Sequence, residues 1–382
     1  MNARFTVDGG QELESRLAKT CSEVLAAVQK LIPQEKLEAL VLGGGYGRGQ
    51  GGVRKTKSGE KPYNDLEFYV FVRGNVHVSE RNYHAPLHEL GERLSSDAGL
   101  HVEFKVYSID KLRDSPVSMF TYDLVAGHKV IFGGEEIFQE CQHHLIARDI
   151  PLHEATRLLF NRCSGLLLAK DFLRNPELTP EQQDFVGRNI AKAQLAFGDA
   201  VLAVYGRYHS NCLERAERLN KNPSDFGPPA LGEIQRVHAM GVDFKLHPSR
   251  TRASRAELLE SHAQSSKLGL QLWLWVESRR LDRPFTTAQE YALSPVSKCP
   301  ESVPWRNALL NLRTFGPGKI FDRNNFRYPR ERLLNALSLM LWDEATSPEK
   351  AAQWKLPELL QAKSATWPDL IQAYQHLWQH YG

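Results

Sequence analysis

The chain lacks the features that would tie it to a membrane, an oxidising compartment or a polyanion. No apolar run approaches the ~18 residues of a spanning helix, so no membrane partner is expected. The start, Met1-Asn2-Ala3-Arg4, has no apolar signal-peptide core. Five cysteines, Cys21, Cys141, Cys163, Cys212 and Cys299, are odd in number, scattered and without a CxxC pair. That argues against a zinc site or a disulfide framework and fits a reducing cytoplasm, the expected location. The net charge is only +3, too small to mark a nucleic-acid partner by itself. Nucleic acid is therefore not favoured, although local basic patches are compatible with it. Internal repeats and low-complexity segments are also absent. What remains is an ordinary globular composition, 42% hydrophobic and 24% charged, over 382 residues, enough for two domains.

The hydrophobic pattern changes character along the chain. Leu13, Leu17, Cys21, Val24, Leu25 and Val28 fall near helical spacing, which predicts an amphipathic helix over 11–31, ended by Pro33. Residues 38–43 read as a short buried strand, and 65–72 and 101–108 as further strands. Leu87, Leu90 and Leu94 suit a helix connecting the last two. Lys129 to Phe132, before Gly133-Gly134, reads as a last edge strand. The glycine-rich, basic stretch 43–64 reads as a long loop. Beyond about residue 150 helices dominate: 153–173, 181–208, 254–281, 329–344 and 366–381. The Pro- and Gly-containing stretch Ser210 to His247 reads as a structured insertion. The expected class is α+β, a small mixed sheet with flanking helices over 1–150, followed by a mainly α-helical domain over 151–382.

The chemistry concentrates in two neighbouring stretches. Leu42-Gly43-Gly44-Gly45-Tyr46-Gly47-Arg48-Gly49-Gln50-Gly51-Gly52 is a glycine loop after an apolar run. Asn64-Asp65-Leu66-Glu67-Phe68-Tyr69-Val70 then carries two acids two positions apart. In a strand, i and i+2 share a face, so Asp65 and Glu67 project together. Adjacent carboxylates repel unless a cation lies between them, and hard divalent cations prefer oxygen. A third acid, Glu103, sits in a similar run, Leu100 to Tyr107. Three familiar phosphate motifs fail. Gly47 to Gly52 matches GxGxxG, but no helix opens directly after it and the acid begins the next strand rather than ending it. The HRD and DFG strings of a protein kinase do not occur. A Walker A loop needs a glycine before its lysine, which Arg54-Lys55-Thr56 lacks.

Gly44-Gly45-Tyr46-Gly47-Arg48-Gly49 followed by Asn64-Asp65-Leu66-Glu67 resembles the nucleotidyltransferases of the DNA polymerase β superfamily, over roughly residues 38–110. That family carries a Gly-Ser motif, often with an Arg-Gly pair, then a D-x-[DE] strand. A helical C-terminal half is similar to its small-molecule members, such as the aminoglycoside nucleotidyltransferases. Two departures stand out: Gly45 replaces the usual serine, and a basic insert lengthens the gap to Asp65. The resemblance implies a metal-dependent transfer of a nucleoside monophosphate from an NTP, ATP being the expected one, to an acceptor hydroxyl, a small molecule being favoured. It implies Mg²⁺ or Mn²⁺ held by Asp65, Glu67 and Glu103, with Glu103 also accepting the hydroxyl proton. Gly44, Gly45, Tyr46 and neighbouring backbone N–H groups would line the nucleotide site. Arg48 would neutralise developing charge or, equally, sit as a surface loop charge.

Other residues read more plainly. Arg54, Lys55, Lys57 and Lys61 are expected as a solvated charge run rather than fixed ligands. On the helix 185–204, Asn189, Lys192, Ala196, Asp199 and Ala203 share an arc beside an apolar stripe, and Lys192 is the candidate partner of the triphosphate. His143-His144 near Cys141 has no second cluster to complete a metal set and reads as solvent-exposed. Trp273 and Trp275 read as core of the helical domain. Acceptors other than small molecules, RNA ends or protein side chains, and a non-catalytic nucleotide-binding protein of the same fold are the competing readings.

Overall fold

A computed structural model describes residues 4–221, 227–316, 326–342 and 355–382. Residues 1–3, 222–226 within the expected insertion, and 343–344 of the expected helix 329–344 lie outside the described residues. The protein is mixed α+β, with a small four-stranded sheet and many helices.

The first compact unit comprises Met1–Glu154, Val201–Asn222 and Gln235–Arg250. It opens with α1 (Gln11–Leu31), whose Leu13, Leu17, Cys21, Val24 and Val28 are buried as one stripe. The sheet uses β1 (Leu37–Leu42), β4 (Leu66–Val72), β5 (Val102–Tyr107) and β6 (Lys129–Phe132), in the order β5-β4-β1-β6. β1 is antiparallel to both β4 and β6, while β4 and β5 run parallel. A parallel pair needs a crossover, and α3 (Val76–Ala98) supplies it. Asn75 caps α3, accepting from the N–H groups of His77 and Val78, and Gly99 ends it at φ +69°.

Alternation along β4 divides its side chains between two faces. Leu66, Phe68, Val70 and Val72 join the cluster with α1 and α3. Tyr69 and Phe71 join the other, with Leu112, Leu124, Val125, Phe138 and Cys141. The last five come from α4 (Ile109–Arg113), α5 (Met119–Ala126), and the 3₁₀ turn Gln139–Leu145 with Phe138 just before it. His144 is wholly buried there, its Nε2 2.8 Å from the Leu112 carbonyl oxygen. This corrects the expectation of two solvated histidines, since only His143 is exposed.

The stretch 43–64 is more ordered than a long loop. It holds one turn of helix, α2 (Gly44–Gly47), and a hairpin of β2 (Val53–Thr56) and β3 (Gly59–Pro62). The hairpin carries the basic run: Lys55, Lys57 and Lys61 are exposed and Arg54 is half-buried. The expected insertion contains two helices, α8 (Cys212–Asn220) and α9 (Leu231–Leu246).

The second unit comprises Ala155–Ala200, Pro223–Ile234 and Thr251–Gly382. Its described residues are chiefly helical, with α6 (Leu152–Leu173), α7 (Pro180–Val204) and α10 (Arg255–Arg280) the longest. The boundaries fall inside α6, α7 and α9, so the units are not two consecutive stretches of chain. Trp273 is fully buried and packs against Tyr291 and Trp342, with centroids 5.7 and 5.4 Å away. Glu277 is equally buried, and its charge is met by Arg280 at 2.6 Å, Tyr291 Oη at 2.8 Å and Thr156 Oγ1 at 2.5 Å. A buried carboxylate needs such a set, because desolvation of an unpaired one costs several kcal/mol.

Candidate active site

The parallel register of β4 and β5 decides what the acids do. Glu67 lies opposite Glu103, and Tyr69 opposite Lys105. Opposed residues share a face, so these four side chains form one patch. Lys105 Nζ lies 3.5 Å from Glu103 Oε2 and 4.0 Å from Glu67 Oε2. The Tyr69 hydroxyl donates to Glu67 Oε2 at 3.1 Å. Burial pushes the Tyr69 phenol well above its usual range, and the neighbouring Glu67 and Glu103 charges push it the same way. It therefore stays a donor at neutral pH. Phe120 of α5 stacks at a tilt on Tyr69 and Tyr107, with centroids 5.7 and 6.3 Å away, and is itself 39% exposed.

The glycine loop lies against the same patch. The Gly43 N–H donates to the Glu67 carbonyl at 2.9 Å, tying the end of β1 to the start of β4. Gly44 then turns at φ +62°, and a Cβ there would stand 2.9 Å from Glu67 Oε1. The positive φ favours glycine, and the missing Cβ leaves room for the Glu67 carboxylate. The loop closes on itself through Gln50 N–H to the Gly45 carbonyl, 2.7 Å. A Cβ on Gly45 would be 3.2 Å from the Gln50 carbonyl oxygen, a tight fit at the position where the resembling family has serine. As first-turn residues capped by no side chain, Gly44 and Gly45 have N–H groups without an intrahelical acceptor.

Tyr46 is not on the surface of this loop. It is wholly buried, donates from Oη to the Gly52 carbonyl at 3.0 Å, and accepts from the Tyr63 N–H at 2.9 Å. Burial is the chief reason its phenol is pushed up to about 12. It acts as a strut beneath the loop. Arg48 is also drawn inward: Nη1 is 3.3 Å from Asp123 Oδ2, which accepts from the Tyr208 hydroxyl at 3.2 Å. Arg48 is therefore not a surface loop charge. Its guanidinium is half of an ion pair, 13% exposed.

Asp65 is exposed and stands one residue before β4, which begins at Leu66. The preceding residue is held to the loop, Asn64 Oδ1 accepting from the Gly52 N–H at 3.0 Å. Among the described residues no group of three or more His, Cys, Asp or Glu side chains is arranged to hold a metal ion. The Glu67–Glu103 pair does fit a cation, since an ammonium sits at ion-pair distance from both.

Lys192 is exposed and belongs to the second unit. The arc it was grouped with is not polar surface: Ala196, Asp199 and Ala203 are buried. The Asp199 charge acts on Arg162, whose charged form is disfavoured chiefly by burial. The small side chains there serve packing, as does Gly165, where a Cβ would meet Asn189 Oδ1 at 2.3 Å.

The sequence reading missed Lys105, Tyr69 and Asn64. A signal for the first two was present. Glu103-x-Lys105 and Glu67-x-Tyr69 are both i, i+2 pairs, so each partner shares its acid's face. What was missing was the register that sets the pairs side by side. No protein-family model matches the chain, and no curated protein is similar to it in sequence. Among the described residues no helix is long and apolar enough to cross a membrane.

Proposed function

We propose that this protein transfers a nucleoside monophosphate from an NTP, ATP being the expected donor, to a hydroxyl of a small molecule, with the help of Mg²⁺ or Mn²⁺. The observation that carries the reading is the in-register pair Glu67 and Glu103, with Glu67 against the glycine loop and the Lys105 ammonium 4.0 and 3.5 Å from the two carboxylates. Glu67 and Glu103, set side by side by the register of β4 and β5, would hold the divalent ion. Bound there, the ion would supply charge neutralisation at the α-phosphate and for the departing pyrophosphate. The chain's own residues do the rest. The acceptor oxygen attacks the α-phosphorus, the bond to the bridging oxygen breaks, and pyrophosphate leaves. Glu103 takes the hydroxyl proton, a role its half-exposed carboxylate suits. The N–H groups of Gly44 and Gly45 face the phosphates, where the missing side chains permit close approach. Tyr69 orients Glu67, and Tyr46 keeps the loop in shape.

The test is incubation with each labelled NTP and Mg²⁺ or Mn²⁺ against metabolite and RNA pools. Label transferred to a small molecule, and lost in Glu67→Gln, supports the reading. Transfer to RNA or protein would redirect it to a macromolecular acceptor. One observation favours a second reading, a nucleotide-binding protein without catalysis: Lys105 already offsets one of the two glutamate charges. Metal-dependent NTP binding with no transfer in any pool would select it.

A further inference from the structure

Glu67 and Glu103 face each other across adjacent strands, an arrangement that like charges resist. The protein meets this with a side chain of its own. Lys105 follows Glu103 by two residues, so it shares the acid's face and stands diagonal to Glu67. Its ammonium reaches both carboxylates, at 3.5 and 4.0 Å. Among the described residues no other cation is within ion-pair distance of either glutamate. Two other cations are engaged elsewhere: Arg48 pairs with Asp123 at 3.3 Å and Lys111 lies over the Tyr107 ring at 5.1 Å.

We infer that Lys105 is the resident counter-ion of this site: a divalent cation must displace it, and once displaced it becomes a ligand of the triphosphate. The inference rests on the metal-dependent nucleotide reading above. Three features support it. Both ion-pair distances are at the long end, and the side chain is 43% exposed, so Lys105 is held loosely. Exposed pairs of this kind are weak, whereas direct oxygen ligation of a divalent ion is strong. The ammonium also sits on a flexible four-carbon stem. It can leave the acids without disturbing β5, whose Val102 and Val106 anchor the opposite face in the core. An NTP enters with its triphosphate, and a released ammonium beside the acids is placed to meet that charge. The same lysine thus weakens binding of the free metal and strengthens binding of the metal–nucleotide complex.

Opposite signs make the test specific. Mn²⁺ affinity of the full chain without nucleotide is measured from the free-ion paramagnetic resonance signal. Affinity for a non-hydrolysable ATP analogue is measured in the presence of saturating Mn²⁺. Lys105→Met is compared with wild type, with Lys111→Met as a control and Glu67→Gln to report the metal site; circular dichroism verifies folding. Lys105→Met is expected to bind Mn²⁺ roughly three- to tenfold more tightly, the range for removing two weak pairs. It is expected to bind the analogue several-fold more weakly, while Lys111→Met changes neither. An Mn²⁺ affinity in Lys105→Met that is unchanged or weaker, while Glu67→Gln abolishes binding, overturns the counter-ion role and leaves the metal site standing. Mn²⁺ binding that survives Glu67→Gln, or is absent in wild type and Lys105→Met alike, overturns the metal site itself and this inference with it.

Discussion

Tyr46→Phe separates a structural role for the glycine loop's tyrosine from a ligand-binding one. The ring would stay where it is, packed under Gly51, whose absent Cβ would otherwise lie 2.0 Å from Tyr46 Cδ1. Only the hydroxyl is removed. It leaves the Gly52 carbonyl without its donor and the Tyr63 N–H without its acceptor, bonds of 3.0 and 2.9 Å. Each buried group left unsatisfied costs about 1–3 kcal/mol. Tyr63 is only half-buried, so water can reach its N–H and that half of the cost falls to the low end. The sum is roughly 2–4 kcal/mol, a large share of a typical stability of about 5–15 kcal/mol. Because the phenol is pushed up to about 12, it is neutral throughout the physiological range and the effect should not vary with pH there. Urea unfolding is the assay: the midpoint should fall with the slope unchanged. A stability loss under ~0.5 kcal/mol, combined with weaker NTP binding, would refute the strut and restore Tyr46 as a nucleotide contact.

Replacing Asp65 and Glu67 together by Asn and Gln should remove most of the metal-dependent rise in thermal stability given by an NTP, as expected if binding to the folded state is lost; an unchanged shift would place the nucleotide elsewhere. His247 lies 2.9 Å from Asp8 and 3.1 Å from Asp243, and although burial opposes its charged form, these carboxylates outweigh that and raise its pKa. A raised folded value means the contribution is complete below the unfolded value of about 6.5 and is lost as pH rises through the folded one. Wild type should therefore lose up to ~1 kcal/mol relative to His247→Gln between mildly acidic and mildly alkaline pH, a small figure because the pair is partly exposed; parallel stability curves would contradict the linkage.

Much of the fold was legible as local pattern. The stripe of α1, the strands near 38–43, 65–72 and 101–108, the edge strand at Lys129–Phe132 and the helices expected at 153–173, 181–208, 254–281 and 366–381 follow from periodicity, which short-range packing enforces. The hairpin β2–β3 was not, because Arg54, Lys55 and Lys61 carry little strand signal. Their order comes from cross-strand pairing and from anchorage to α1, where Arg16 donates to the Glu60 carbonyl at 2.8 Å. Helices α8 and α9 were hidden by the Pro and Gly clusters around them.

The candidate site divides along the same line. The residue order alone determined that Glu67 and Tyr69 share a face, that Glu103 and Lys105 share a face, and that a glycine loop precedes them, since alternation is a property of each strand separately. Tertiary structure decided that the two pairs stand side by side, because register depends on how α3 returns the chain to the sheet. It also decided that Arg48 turns in to Asp123, that Tyr46 is buried, and that Asp65 falls outside the strand. Each of these depends on partners distant in sequence. A buried charge or hydroxyl goes where its partner is, and nothing in the local order of residues names that partner.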